Sequence, residues 1–194
     1  MHSTSQRRRY RGTWLSAAMF ALLSLSVIQA RAEIERTGYP TDHGIELIWW
    51  PKVTPPAGWI HDDKVSLANA INMMVPRNET FVDSPVLMYA RAFYHEAGDT
   101  GRHLATAIDE DKKGFLGKYP KSKIEEVAAT ETGDGTKLRT LAFIPDGAGN
   151  WDLVAYGREP EYVLMFCISA RTPAALAEHR AAFEAMVRSY TSKD

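Results

Sequence analysis

Four strand-like segments follow one another between residues 124 and 170, and they constrain the fold more than any other feature of the sequence. The segments are rich in aliphatic and aromatic residues, and they cover 124–132, 137–144, 153–158 and 162–170. Gly133-Asp134-Gly135 and Glu159-Pro160-Glu161 are typical of tight reversals between paired strands. Strands joined by such short connections run antiparallel, so this half of the chain predicts a meander.

Two amphipathic helices accompany the predicted sheet. Apolar residues recur at helical spacing from about residue 100 to Pro120, and again after the capping pair Thr172-Pro173. In the first half of the chain, strands are predicted at 45–50 and 86–94, with a short helix from Asp62 to about residue 69. The segment 70–75 is compatible with a strand or with a continued helix, and a strand is favoured.

These elements predict one α+β domain over residues 45–191. Its mainly antiparallel sheet has six or seven strands and is flanked by helices. The strands at 138–144 and 161–170 are apolar at nearly every position, which indicates that both faces of the sheet are covered. The expected architecture is therefore an α/β/α sandwich. Trp49 and Trp50 are neighbours in a strand and must point to opposite faces, so both are buried only if both faces are covered.

The first 32 residues have the pattern of a cleavable signal peptide. A basic run, Arg-Arg-Arg-Tyr-Arg, precedes an apolar stretch of about 15 residues and a small-residue site at Ala30-Arg31-Ala32. The alternative is a membrane anchor, but a spanning helix needs roughly 20 apolar residues. We expect a periplasmic or secreted protein with no membrane span after cleavage, and a flexible N-terminal arm at 33–44.

Charge and cysteine content narrow the possible partners. The predicted signal holds five arginines and no acid, so the rest of the chain carries 18 of the 23 basic residues and all 24 acidic ones. A net charge of about −6 argues against nucleic acid and anionic lipid as main partners. The single cysteine, Cys167, cannot form an internal disulfide and is predicted to lie in the core.

The order of elements resembles the PsbP-like fold shared by bacterial periplasmic proteins such as DcrB. The resemblance rests on Gly58-Trp59, on Ser84-Pro85-Val86-Leu87-Met88-Tyr89-Ala90, and on the final Phe183-Glu-Ala-Met-Val-Arg-Ser-Tyr190, and it covers roughly residues 45–190. It implies a binding or assembly role and assigns no catalytic residue, cofactor or partner to this chain.

Two groups of residues are candidate metal ligands. The first group is His61, Asp62 and Asp63, and the second is His95, Glu96, Asp99 and His103. His95-Glu96 begins like a zinc helix motif, but no second histidine follows at the required spacing. Capping and solvation explain the same residues, so no metal or other cofactor is expected. The acidic run Asp109-Glu110-Asp111 is interpreted as a solvated helix face.

The leading hypothesis is a non-catalytic binding or accessory domain of the cell envelope, with an unknown protein or small-molecule partner. Trp59, His61 and Phe81 are the candidate ligand-binding residues, in loops 51–63 and 76–85 at one end of the sheet. The alternative is a metal-assisted hydrolase that uses His61/Asp63 or His95/His103. A third hypothesis is an envelope component that acts through edge-strand pairing.

Overall fold

The computed structural model describes residues 34–95 and 100–191. In these ranges the chain forms one sheet and three helices. The elements in chain order are β1 (Ile34–Thr41), β2 (Gly44–Pro51), β3 (Trp59–His61), α1 (Asp63–Asn69), β4 (Asn72–Pro76), β5 (Val86–Tyr94), α2 (Thr100–Lys118), β6 (Lys123–Glu131), β7 (Lys137–Ile144), β8 (Trp151–Glu159), β9 (Tyr162–Ala170) and α3 (Pro173–Arg188).

The sheet is antiparallel throughout its described pairings and contains nine strands. Seven of them follow the order β1-β2-β5-β9-β8-β7-β6, and β3 and β4 lie off this path. The side of β5 that faces away from β9 pairs with two strands. Ala92 pairs with β2, whereas Met88 and Ala90 pair with β4. Strand β3 forms an antiparallel pair with β4. The predicted α+β class and the meander β6–β9 are confirmed. The sheet has more strands than the six or seven expected, because β1 and β3 also belong to it.

Strand β1 corrects the expectation of a flexible arm at 33–44. Residues 34–41 pair along their whole length with β2, and the two strands are joined through Asp42 and His43. The Thr41 hydroxyl donates to the Gly44 carbonyl, 3.1 Å away, which closes the turn. The segment looked like an arm because it is polar and contains Pro40. An edge strand tolerates both features, since its outer side faces water.

Helices cover both faces of the sheet, as an α/β/α sandwich requires. On one face, α3 buries Phe183, Met186 and Val187 against β5, β8 and β9. On the other face, α2 packs on β8 and β9 through Ile108 and Phe115. The predicted core position of Cys167 is confirmed, since it is 1% exposed beneath α2.

In the first half of the domain, helix α1 and strand β4 agree with the sequence prediction. Asp62 caps α1 by accepting a hydrogen bond of 3.0 Å from the Val65 N–H. The helix ends at Ala70, which has a left-handed conformation with φ of 56°. This reversal separates α1 from β4, so the ambiguous segment is a strand, as favoured. Trp50 is buried, whereas Trp49 is only partly buried and stacks on Tyr94.

The predicted signal peptide at 1–32 lies outside the described residues. Within the described part of the chain, no helix combines the length and the apolar character needed to cross a membrane.

Candidate functional site

A cavity of about 550 Å³ lies between α2 and the sheet, and we call it the α2 cavity. Helix α2 forms its roof with Asp111, Gly114 and Lys118, which share one face because they are three and four residues apart. Strand β8 lines the floor with Asp152, Val154 and Tyr156. Alternation along the strand puts these three side chains on the same face of the sheet.

The loop between β7 and β8 closes one side of the α2 cavity. The backbone N–H of Asp146 donates to Ser122 Oγ at 2.9 Å, which ties the loop to the chain beyond α2. Gly149 lies against the ring of Tyr119, and an added Cβ would come within 2.8 Å of that ring. Gly149 also has a φ of 116°, a conformation that residues with a side chain rarely adopt, so glycine suits this wall.

Asp111 and Tyr156 form one polar end of the α2 cavity. The Tyr156 hydroxyl donates to Asp111 Oδ2 at 2.9 Å. Burial raises the pKa of Asp111, while the hydrogen bond from Tyr156 and the charge of Arg91 act in the opposite direction. Burial and the neighbouring carboxylate raise the pKa of Tyr156, so this phenol stays protonated and acts as a donor.

Asp152 forms the other polar end. The Ser169 hydroxyl donates to Asp152 Oδ1 at 2.6 Å, and the Asn150 amide donates to Ser169 Oγ at 3.0 Å. Burial raises the pKa of Asp152 to about 6, although the Ser169 hydrogen bond and the charge of Lys118 favour the carboxylate. This carboxyl group is therefore ionised at neutral pH, but at a cost in free energy.

Aromatic and aliphatic side chains line the α2 cavity between its two polar ends. They come from both the helix and the sheet, and they are Tyr89, Phe115, Phe143, Val154 and Met165. Cys167 lies deeper, and burial raises the pKa of its thiol well above the ordinary value. The thiol is therefore protonated and enclosed, which is typical of a structural cysteine.

The structure separates the three residues predicted to bind a ligand. Trp59 is 5% exposed and meets the ring of His179 edge-on, with 5.5 Å between ring centroids. His61 lines a cavity of about 520 Å³ beside α1. Phe81 lines another, of about 310 Å³, beside Arg171. The loops that carry them do meet, since the Arg77 N–H donates to the Gly58 carbonyl at 2.7 Å.

The two histidine groups of the alternative hypothesis differ in geometry. His61 and Asp63 line the same cavity. His95 and His103 stack face to face, with ring centroids 4.5 Å apart and planes 10° apart. Imidazole lone pairs lie in the ring plane, so stacked parallel rings do not direct them at one ion. Among the described residues, no three histidine, cysteine or carboxylate side chains form a group that could hold a metal.

Sequence reasoning missed most of the α2 cavity. Asp111 was interpreted as part of a solvated run, but it is half-buried against Tyr156, whereas Asp109 and Glu110 are exposed. Asp152 was placed outside its strand, which begins two residues earlier than predicted. A charged residue beside the apolar run 153–156 was the available signal, because such a residue is rarely buried without a partner.

Comparison with known proteins gives a likeness to solved structures. The chain is similar to the solution structure of cyanobacterial PsbP from Synechocystis sp. PCC 6803, with 15% sequence identity and a TM-score of 0.45, over 88% of this chain and 98% of that one. The predicted resemblance to the PsbP-like fold agrees with this finding. No protein-family profile and no curated protein matches the sequence. The likeness assigns no ligand, partner or site residue to this chain.

Proposed function

We propose that this protein is an exported, non-catalytic binding domain that holds a small organic ligand in the α2 cavity. The observation that carries the proposal is the cavity itself. Its volume of about 550 Å³ lies within the range of roughly 300–1,000 Å³ that is usual for small-molecule sites. Its walls combine aromatic and aliphatic side chains with polar groups at defined positions, and small-molecule sites also combine these two kinds of surface.

Hydrogen bonds within the wall support a binding role. Tyr156 fixes one oxygen of Asp111, and Ser169 fixes one oxygen of Asp152. Each carboxylate keeps a second oxygen that can accept a hydrogen bond from a ligand. Because the side chains are held before the ligand arrives, less conformational entropy is lost on binding.

The cavity under α2 is a better candidate than the loops first predicted to bind. His61 and Phe81 line separate cavities, and Trp59 packs against α3, so a single small ligand would not contact all three. The metal-assisted hydrolase is not favoured, given the stacked arrangement of His95 and His103.

Edge-strand pairing at β6 also lacks support. The edge strand β6 carries Lys123, Glu125, Glu126 and Glu131 and has an irregular register between Val127 and Thr130. Charges and bulges of this kind oppose pairing with another chain.

Two glycines of α2 allow a matched test of the proposal. An added Cβ at Gly114 or at Gly117 meets no atom within 4 Å, but Gly114 lines the α2 cavity and Gly117 does not. We expect Gly114→Phe to fill the cavity and Gly117→Phe to leave it open. Thermal melting is measured for the protein and both variants, alone and with spermidine, betaine, adipate, glucose or hexanol.

The proposal predicts that at least one compound raises the melting temperature of the protein and of Gly117→Phe but not of Gly114→Phe. Melting of both variants without added compound shows whether each is folded. Two results would show that the α2 cavity is not the binding site. Either no compound raises the melting temperature of the protein, or a compound raises that of Gly114→Phe as much as that of Gly117→Phe.

A further inference from the structure

The charges around the α2 cavity are unbalanced. Three carboxylate side chains line it, those of Glu110, Asp111 and Asp152, and one lysine, Lys118. Lys118 Nζ lies over the ring of Tyr119, 5.1 Å from its centroid, near the Asp152 end. Arg91 interacts with Asp111 but lines the neighbouring cavity of about 320 Å³, which contains His95 and His103. The α2 cavity therefore favours cations over anions.

The two partly buried carboxylates, Asp111 and Asp152, lie at opposite ends of the cavity. Asp152 and Tyr156 are on the same face of β8, four residues apart, which corresponds to about 13 Å along a strand. Asp111 is hydrogen-bonded to Tyr156. The positive charge of Lys118 lowers the pKa of Asp152, so Lys118 marks the Asp152 end of the cavity. Lys118 is seven residues from Asp111 in α2, which corresponds to about 10 Å along a helix. Strand and helix thus both give a spacing of about 10 to 13 Å between the two ends.

Apolar surface separates these ends. Val154 lies between Asp152 and Tyr156 on the strand. On the neighbouring strands, Phe143 pairs with Asp152 and Met165 pairs with Tyr156. Phe115 and Tyr119 contribute aromatic rings from the α2 side. Methylene groups pack well on such a surface, and the faces of aromatic rings attract cations.

From this arrangement we propose that the ligand of the α2 cavity is a linear aliphatic polyamine, with one ammonium group at Asp111 and another at Asp152. The proposal rests on the proposed function, since it names the ligand class of the same cavity. A single metal ion does not fit, because first-shell ligands lie about 2 Å from an ion and these carboxylates are much farther apart.

The electrostatics of the α2 cavity agree with a cationic ligand. Burial raises the pKa values of both Asp111 and Asp152, so the local positive charges do not fully compensate either carboxylate. An ammonium group placed beside each one supplies that compensation and donates to the free carboxylate oxygens.

Calorimetric titration with spermidine tests the proposal, with butylamine and adipate as comparison ligands. We expect spermidine to bind about tenfold or more tightly than butylamine, because a monoamine reaches only one carboxylate, and we expect no binding of adipate. Asp111→Asn and Asp152→Asn should each weaken spermidine binding by about tenfold or more. Asp109→Asn removes the same charge from an exposed position on α2 and should change the affinity little.

Several outcomes would overturn the polyamine assignment. The first is that spermidine gives no heat of binding, and the second is that butylamine binds with the same affinity as spermidine. The third is that Asp109→Asn and Asp152→Asn lose the same amount of spermidine affinity. If adipate or glucose binds instead and Gly114→Phe abolishes that binding, the cavity is a ligand site and only the polyamine assignment fails. If neither spermidine nor any panel compound binds, both proposals fail.

Discussion

At the scale of single residues, the polar side chains under α2 are held in place by one another. Asp152 accepts from Ser169, Ser169 accepts from Asn150, and Tyr156 donates to Asp111. A buried polar group costs free energy unless it is paired, so these pairings allow carboxylates to occupy an otherwise apolar face. The cost that remains appears in the raised pKa of Asp152.

The pH dependence of stability tests this account of Asp152. Its pKa rises from 3.8 in the unfolded chain to about 6 in the folded protein. The folded state therefore binds the proton more tightly, and stability falls as the pH rises from about 4 to 6. We expect Asp152→Asn to remove this loss and to be more stable than the parent protein at pH 7.5, by about 2–3 kcal/mol at most.

Urea unfolding at pH 4 and at pH 7.5 measures the difference between the two proteins. Asp111 is present in both, so its own titration cancels in the comparison. Parallel stability profiles for the parent protein and Asp152→Asn would show that Asp152 is not the destabilised carboxyl group.

At the scale of elements, the sequence predicted the helices and strands whose own residues form a recognisable pattern. The helices α1, α2 and α3 have caps or apolar stripes, and the meander has turn residues between apolar runs. Strands β1 and β3 were missed because β1 is polar and β3 is only three residues long, Trp59–His61. What identifies both is pairing with β2 and β4, and pairing between distant segments leaves no periodic pattern in either one.

The candidate site was less predictable than the fold for the same reason. Asp111 meets Tyr156 only when α2 packs on β8, and Asp152 meets Ser169 only when β8 pairs with β9. Local sequence showed Asp111 as one acid in a run and Asp152 as the polar flank of a strand. Neither pattern contains the spacing that the tertiary fold creates.

The turn between β6 and β7 is docked onto the end of α3, and Gly133 makes the contact. Its N–H donates to the Tyr190 carbonyl at 2.7 Å, and an added Cβ would lie 2.5 Å from the Arg188 carbonyl oxygen. We expect Gly133→Ala to force these backbones apart and to destabilise the protein by about 1–3 kcal/mol in urea unfolding.

The control is Gly117→Ala, where the added methyl group meets no atom and helix propensity improves by about 0.5–1 kcal/mol. Equal stability of Gly133→Ala and the parent protein would mean that the turn and the helix end are not in close contact.

At the scale of the whole molecule, the two faces of the sheet have different roles. The face under α3 is closed by Phe166, Phe183 and Tyr190, and it provides most of the core. The face under α2 is only partly filled and leaves the cavity between Phe115 and the strands. The proposed function assigns the binding site to this partly filled face.

Export is the other proposal at this scale. A basic run, a short apolar stretch and Ala30-Arg31-Ala32 at the N-terminus support it. When the full chain is produced in a Gram-negative bacterium, we expect the protein in the periplasmic fraction with an intact mass that begins at Glu33. A full-length mass, or protein confined to the cytoplasm, would contradict cleavage and export.

The most direct test of the central claim is the heat of ligand binding to the two α2 variants. The compound that stabilises the protein most is titrated into Gly114→Phe and Gly117→Phe under the same conditions. The account predicts that Gly117→Phe binds with the affinity of the parent protein and that folded Gly114→Phe shows no binding. Equal affinity in the two variants would contradict a binding site under α2.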